Sequence, residues 1–169
     1  MHDIYIGIDN GISGALAALN KTTGALSAIV MPTVEVRKNN YIDDRAVRDW
    51  ILAFENAGQQ RIYVVYEQGQ KQPMFGCKTN FAQGYSFGVI ATIMSQNNIS
   101  CMAVNPKDWQ KPIFTGIRGD AKDTKGASIE FVRRTYPTFD MRPTARSKNP
   151  HDGIADSVCI ATWAARQNL

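Results

Sequence analysis

The hydrophobic positions of this chain fall into two patterns, unbroken apolar runs and helical repeats. Asp3 to Asp9 (DIYIGID) is β-branched and aromatic throughout, the pattern of a buried strand that ends on an acid. Gly14 to Asn20 and Gly24 to Met31 flank the turn residues Lys21 to Gly24, predicting a hairpin that continues from the first strand. Three antiparallel strands at the N-terminus follow. Pro32 to Asn40 is polar and reads as a loop. After Asp43 or Asp44, either able to cap, Ala46, Val47, Trp50, Ile51 and Phe54 recur at helical spacing as far as about Asn56. Arg61 to Tyr66 (RIYVVY) is apolar without alternation, as in a strand buried on both faces, and it too runs into an acid, Glu67. Gly69 to Thr79 is irregular. Asn80 to Gln96 predicts a helix despite Gly84 and Gly88, and Ile99 to Val104 a strand. Pro106 opens a short helix over Lys107 to Gln110, and Ala121 to Tyr136 predicts a longer one. A loop over Pro137 to Pro150 leads to a final helix from His151 to Arg166. Strands interleaved with helices in this order predict an α/β fold, a mixed five-stranded sheet flanked by helices on both faces.

Composition narrows the setting. With 169 residues, 44% apolar and 20% charged, the chain suits a single folded domain spanning 1–169. No window approaches a membrane span, and the start MHDIYIGIDN does not read as a signal peptide, so a cytoplasmic protein is expected. Three scattered cysteines and two histidines supply neither a disulfide framework nor a structural zinc site. The net charge of +4 is unevenly placed. Asn105 to Pro150 holds ten Lys/Arg against five Asp/Glu, whereas the remainder is slightly acidic. Such a basic flank suits a polyanion, although a solvated surface has the same composition.

The acids carry the sharper signal. Asp9 and Glu67 each end a buried strand, and Asp152 and Asp156 stand four apart on an apolar helix, on one face. Singly, each has a structural explanation: an Asx turn at Asp9-Asn10-Gly11, a strand exit at Glu67, and a helix cap at Asp152. Asp156, deeper in the helix, is hardest to explain that way. Together, four converging carboxylates would repel one another unless neutralised, which calls for hard divalent cations on oxygen ligands. Two such ions can clamp a phosphodiester, so cluster and basic flank together predict a metal-dependent nuclease.

At this point five segments become informative: IGIDNGISGALA at Ile6–Ala17, VVYEQ at Val64–Gln68, FAQGYSFGVIATI at Phe81–Ile93, GDAKDTKGASIEFV at Gly119–Val132 and HDGIADSVCIATWA at His151–Ala164. In order and spacing they resemble the RuvC-type Holliday junction resolvases of the ribonuclease-H-like superfamily. With VNPKDWQKP at Val104–Pro112, the chain is similar to the phage-encoded branch of that family. The resemblance implies a ribonuclease-H-like fold and a homodimer acting on branched DNA in recombination and repair. It further implies paired nicking of four-way junctions with two Mg²⁺ ions per site, for which Mn²⁺ can substitute. Carried over by position, the ligand acids are Asp9, Glu67, Asp152 and Asp156, and the basic catalytic residue is Lys125. Lys107, Lys111, Arg118, Lys122 and Arg146 are the expected DNA contacts. The last two ligands of familiar bacterial members are three apart, not four, and His151 precedes the pair here as a helper at the helix mouth or a base. Where those members place an aromatic wedge after the glutamate, this chain has Gln-Gly-Gln-Lys-Gln-Pro-Met, so either Phe75 serves as the wedge or the wedge is absent. Gly84 and Gly88 fit either close packing on the sheet or the family's subunit contact.

Other readings keep part of this picture. A nuclease of the same fold could take branched DNA more broadly, or the chain could bind junctions without cutting them. An actin-like ATPase shares a first-strand Asp-Asn-Gly turn, but its two lobes need more than 169 residues.

Overall fold

The computed structural model describes residues 2–56, 61–69, 76–117 and 124–169. In chain order these form β1 (Ile4–Asp9), β2 (Ala15–Asn20), β3 (Leu26–Val30), β4 (Thr33–Val36), β5 (Asn39–Ile42), α1 (Asp44–Asn56), β6 (Ile62–Glu67), α2 (Cys77–Gln96), β7 (Cys101–Val104), α3 (Pro106–Phe114), α4 (Thr124–Thr135) and α5 (Asp152–Gln167). The main sheet has the order β3-β2-β1-β6-β7. Its first three strands are antiparallel, whereas β6 runs parallel to both β1 and β7. The mixed five-stranded sheet expected from the sequence is therefore the one observed.

Strand periodicity divides the core into two layers. Ile4, Ile6, Ile8, Leu16, Ala18, Val64 and Tyr66 face α1 and α2, meeting Val47, Ile51, Ile90, Ile93 and Met94. Tyr5, Ala15, Ala17, Leu19 and Val65 face the other way, toward α3, α4 and α5. The sequence signals these layers because a strand covered on both sides has no polar alternation.

Helix α5 is the centre of the second layer. From Gly153 to Ala165 every residue but Asp156 is buried, and the helix lies directly on β1. Its approach is close enough that a Cβ at Gly7 would stand 2.1 Å from the Ser157 carbonyl oxygen and 2.5 Å from the Ala161 nitrogen. Those are backbone atoms, which cannot rotate out of the way. Only glycine fits.

Four expectations are corrected. Pro32 to Asn40 is not a loop: β4 and β5 form an antiparallel ribbon, with Thr33 opposite Ile42 and Val36 opposite Asn39. Thr33, Val34, Val36, Tyr41 and Ile42 are strand formers, but the two-residue turn between them, Arg37-Lys38, has neither Asn nor Gly to announce it. Both adopt left-handed backbone, with φ of 49° and 66°, at a cost on the order of 1 kcal/mol each. Helix α3 runs on through Pro112 to Phe114, because Trp109 and Ile113, four apart, are both buried and anchor it. Helix α2 starts at Cys77, three residues before Asn80. Gly84 and Gly88 on it do not pack on the sheet, since a Cβ at either would meet nothing within 4 Å. Asp43 is the cap of α1, accepting from the Ala46 amide at 3.1 Å. Among the described residues no helix is long and apolar enough to cross a membrane.

Gly7→Ala should therefore destabilise the fold by about 3 kcal/mol or more, the upper range for overpacking a rigid contact. Gly84→Ala, which adds a methyl to open space in the middle of a helix, should instead raise the intrinsic stability of the subunit toward urea by up to about 1 kcal/mol. Comparable losses for the two would mean that α5 does not seat on β1 as described.

Candidate active site

Two parallel strands side by side place their C-terminal residues at one edge of the sheet. Ile8 pairs with Tyr66, so Asp9 and Glu67, one step further on, emerge together. Both share the parity of Tyr5 and Val65 and so belong to the α3–α5 side. Asn10 clamps the two ends: largely buried, it donates from Nδ2 to the Glu67 carbonyl oxygen at 3.2 Å. Asp9 Oδ1 accepts from the Gly11 amide at 3.4 Å, the Asx-turn geometry noted in the sequence.

The first turn of α5 closes over Asp9. A Cβ at Gly153 would stand 3.0 Å from Asp9 Oδ2 and 2.9 Å from Gly14 Cα, so the carboxylate lies against the helix backbone. His151, not Asp152, caps the helix, its Nδ1 accepting from the Ile154 amide at 3.3 Å. In the neutral ring the proton then resides on Nε2, so Nδ1 is engaged and the ring cannot serve as a base without giving up the cap. Asp152 Oδ1 accepts from the next amide, Gly153, at 3.0 Å. One turn on, Asp156 takes a short hydrogen bond from the Ser128 hydroxyl of α4.

Glu67 has the most perturbed environment. Burial pushes its carboxyl up, the negative charge of Asp9 pushes it further, and Asp156 adds to this. A hydrogen bond from Trp109 Nε1 to Oε1, at 2.9 Å, acts in the opposite direction. The balance is a carboxyl with a pKa of about 7. Trp109 reaches it because β7 passes straight into α3 at Asn105, whose side chain accepts from the Lys107 amide and whose successor, Pro106, opens the helix.

The structure thus brings Asp9, Glu67 and Asp156 into electrostatic contact, with Asp152 one turn from Asp156 at the mouth of the helix. Their chemistry suits a hard divalent cation: all are oxygen donors, and ionising Glu67 beside Asp9 and Asp156 is unfavourable without a positive charge. Among the described residues, however, no three His, Cys, Asp or Glu side chains already stand as a ligand set. Glu67 is held by Trp109, Asp156 by Ser128, and Asp9 and Asp152 by backbone amides.

Of the basic residues singled out in the sequence, Lys107 and Lys111 are exposed on α3 and Arg146 on the loop before α5. None of the three is in an ion pair among the described residues, whereas Arg134 and Arg142 are held by Glu130 and Asp140. Lys125 lies in the first turn of α4, three residues before Ser128. Arg118, Lys122 and Phe75 lie outside the described residues. Sequence reading assigned no role to Asn10, Trp109, Ser128 or Gly153. Ser128 is fully buried, which only the structure shows, and its hydroxyl meets its need for a partner at Asp156.

No protein-family model and no curated sequence matches the chain. Solved structures do. Thermus thermophilus RuvC in complex with a Holliday junction substrate aligns with a TM-score of 0.55 at 15% identity, over 97% of this chain and 96% of that one. Thermus thermophilus RuvC alone gives 0.52 at 18% identity, over 98% and 96%. The yeast mitochondrial Holliday junction resolvase Ydc2 gives 0.54 at 12% identity, over 96% of this chain and 77% of that one. The fold is therefore the ribonuclease-H-like α/β fold of these proteins.

The raised pKa of Glu67 has a consequence for stability. In the unfolded chain the carboxyl titrates near 4.5, in the folded one near 7, so the folded state holds the proton more tightly. Without divalent ions this contribution is fully present below about pH 4.5 and is lost as pH rises through 7. The loss amounts to as much as about 3 kcal/mol. Glu67→Gln should flatten the fall, as read by urea denaturation at pH 5 and pH 8.5 in a chelator. Parallel pH profiles for the two proteins would mean that Glu67 is not held as described.

Proposed function

We propose that the protein is a divalent-cation-dependent endodeoxyribonuclease that resolves four-way DNA junctions by paired nicks, a RuvC-type resolvase acting as a homodimer of single nuclease domains in the cytoplasm. The observation that carries this is the placing of Glu67 at one edge of the sheet beside Asp9 and Asp156, where its withdrawal from water and then their charge raise its carboxyl to about 7. A carboxylate this far desolvated with two other acids beside it is costly in a purely structural role and suited to holding cations. The likeness in fold to RuvC bound to a Holliday junction supports branched DNA as the substrate.

In this reading Asp9, Glu67, Asp152 and Asp156 hold the cations, with Mg²⁺ the expected ion and Mn²⁺ a substitute. Bound there, a pair of divalent ions would supply Lewis-acid activation of water and stabilisation of the leaving oxygen. The chain's own contributions are positional. Trp109 fixes Glu67 Oε1, and Oε2, which has no hydrogen-bond donor among the described residues, is the oxygen that ligates. Ser128 orients Asp156, and the His151 cap sets the first turn of α5 so that Asp152 opens the helix. Lys107, Lys111, Arg118, Lys122 and Arg146 bind phosphates, and Lys125 stabilises the charge that develops on the scissile one. The open glycines of α2, flanked by exposed Phe81, support a subunit contact on that helix, and two-fold symmetry would present two sites to two strands.

Asp9→Asn and Glu67→Gln should each lower cleavage of a synthetic four-way junction in Mg²⁺ by at least about a hundredfold, while binding of the junction stays similar or rises. Linear duplex should be cut poorly by the parent, and chelation should stop all cutting. Near-normal turnover in either variant would remove the carboxylate site from the chemistry.

The two residues at the head of α5 should separate. Asp152→Asn should abolish cleavage or demand far more Mg²⁺. His151→Ala should cost about 1 kcal/mol of stability through the lost cap and only slow cleavage, with His151→Asn, a better cap, recovering the stability. The reverse ranking in a Mg²⁺ titration would make His151 the ligand and Asp152 a helix-end charge.

A further inference from the structure

The ribbon β4–β5 is the one element that the core does not explain. Every residue from Thr33 to Tyr41 is exposed, and only Ile42 at its base enters the apolar interior. Tyr41 rests edge-on against Tyr85 of α2, with ring centroids 5.7 Å apart, which steadies the ribbon at its foot. Beyond that foot both faces are open.

Its root is at the acidic edge of the sheet. Val30, the last residue of β3, pairs with Ala15, which pairs with Asp9. Met31 then donates to the carbonyl oxygen of Gly14, in the turn that follows Asp9, and Asp43 donates to Pro32. The ribbon therefore leaves the body two strands from Asp9, roughly 10 Å away, and its four-residue strands reach about 13 Å further.

The tip is chemically specific and structurally uncomfortable. Arg37 and Lys38 occupy the two left-handed positions of the turn, which favour Asn and Gly, while Asn39 and Asn40 sit unused in the adjoining strand. A register one or two residues later would place Asn in the turn, but it would draw Ile42 out of the core. The register thus holds two cations at the farthest point of the ribbon, and neither is in an ion pair among the described residues. Backbone strain of this kind persists where a ligand uses it. The major groove of duplex DNA, about 12 Å wide, admits a two-stranded ribbon, and its phosphate walls match a tip with two positive charges.

We propose that the β4–β5 ribbon is a second DNA-contacting element, its Arg37-Lys38 tip seated on the phosphates of a groove in the duplex arm that adjoins the cut site. The proposal rests on the nuclease reading above. The tip lies at most about 23 Å from Asp9, less than one helical turn of DNA (about 34 Å), so one arm is long enough to meet the acids and the tip together. The ribbon would act on binding and register along the arm, with no part in the chemical step.

The decisive variant is Arg37→Asn with Lys38→Gly. It removes both cations but installs the preferred turn pair, so the ribbon stays and the protein should melt at the same temperature or higher. Against a four-way junction and a duplex of the arm sequence, affinity should fall roughly tenfold near 0.1 M salt. The log–log salt slope should drop by about 1.8, that is, about 0.9 for each lost phosphate contact. Cleavage at saturating junction should stay near the parent rate. Unchanged affinity and slope, with the parent binding normally, would overturn the ribbon's role and leave the nuclease reading intact. A weaker variant that sedimentation shows to have become monomeric would overturn it too, assigning the ribbon to a protein contact. A parent that binds neither DNA would fail the nuclease reading itself.

Discussion

The seating of α5 on β1 is the constraint from which the candidate site follows. Gly7 lets the two backbones come within van der Waals contact, and Gly153 does the same where the helix begins, lying against Gly14 and Asp9. A side chain at Gly7 or Gly153 would wedge the helix away from the sheet. Because α5 approaches so closely, its first turn lies against Asp9 and its second carries Asp156 toward Glu67. Loops hold neither acid in place. The strands fix Asp9 and Glu67, and a helix buried along most of its length fixes the other two.

That geometry concentrates negative charge in a partly dry place, which by itself opposes folding. Surrounding hydrogen-bond donors offset part of the cost. Trp109 donates to Glu67, Ser128 to Asp156, and backbone amides to Asp9 and Asp152. These bonds orient the carboxylates, and Glu67, partly withdrawn from water and beside Asp9 and Asp156, holds its proton up to about pH 7. The same donors define which bonds a cation would have to replace or share. Helix α3 belongs to this scheme as much as to the basic flank, since the residue that orients Glu67 and the exposed Lys107 and Lys111 lie on its opposite faces.

Much of this was legible in the chain. Unbroken apolar runs ending in Asp9 and Glu67 gave two buried strands with acids at their ends, and the spacing of Asp152 and Asp156 placed them on one helix face. The ribbon over Thr33 to Ile42 was illegible because Arg37-Lys38 carries no turn chemistry. The reach of α3 past Pro112 was hidden because burial of Trp109 and Ile113 outweighs a local helix breaker. Gly84 and Gly88 looked like packing residues in the sequence, but which side of α2 meets the sheet depends on helices distant in the chain.

The amino-acid sequence by itself determined the five strands of the main sheet and the existence of its helices, the two-sided burial of the sheet, and the presence of acids where buried elements end. Those are local properties: periodicity, side-chain branching and the position of the first polar residue after an apolar run. The sequence marks β6 as a central strand, but tertiary structure alone decided that its neighbours are β1 and β7, that Trp109 and Ser128 bind the acids, and that His151 takes the cap that Asp152 could have held. It also decided the pKa of Glu67, because that value depends on the separation of Asp9, Glu67 and Asp156 and on the water excluded around them. No residue in the sequence carries that separation; it arises only when a helix more than eighty residues further along settles against the two strands.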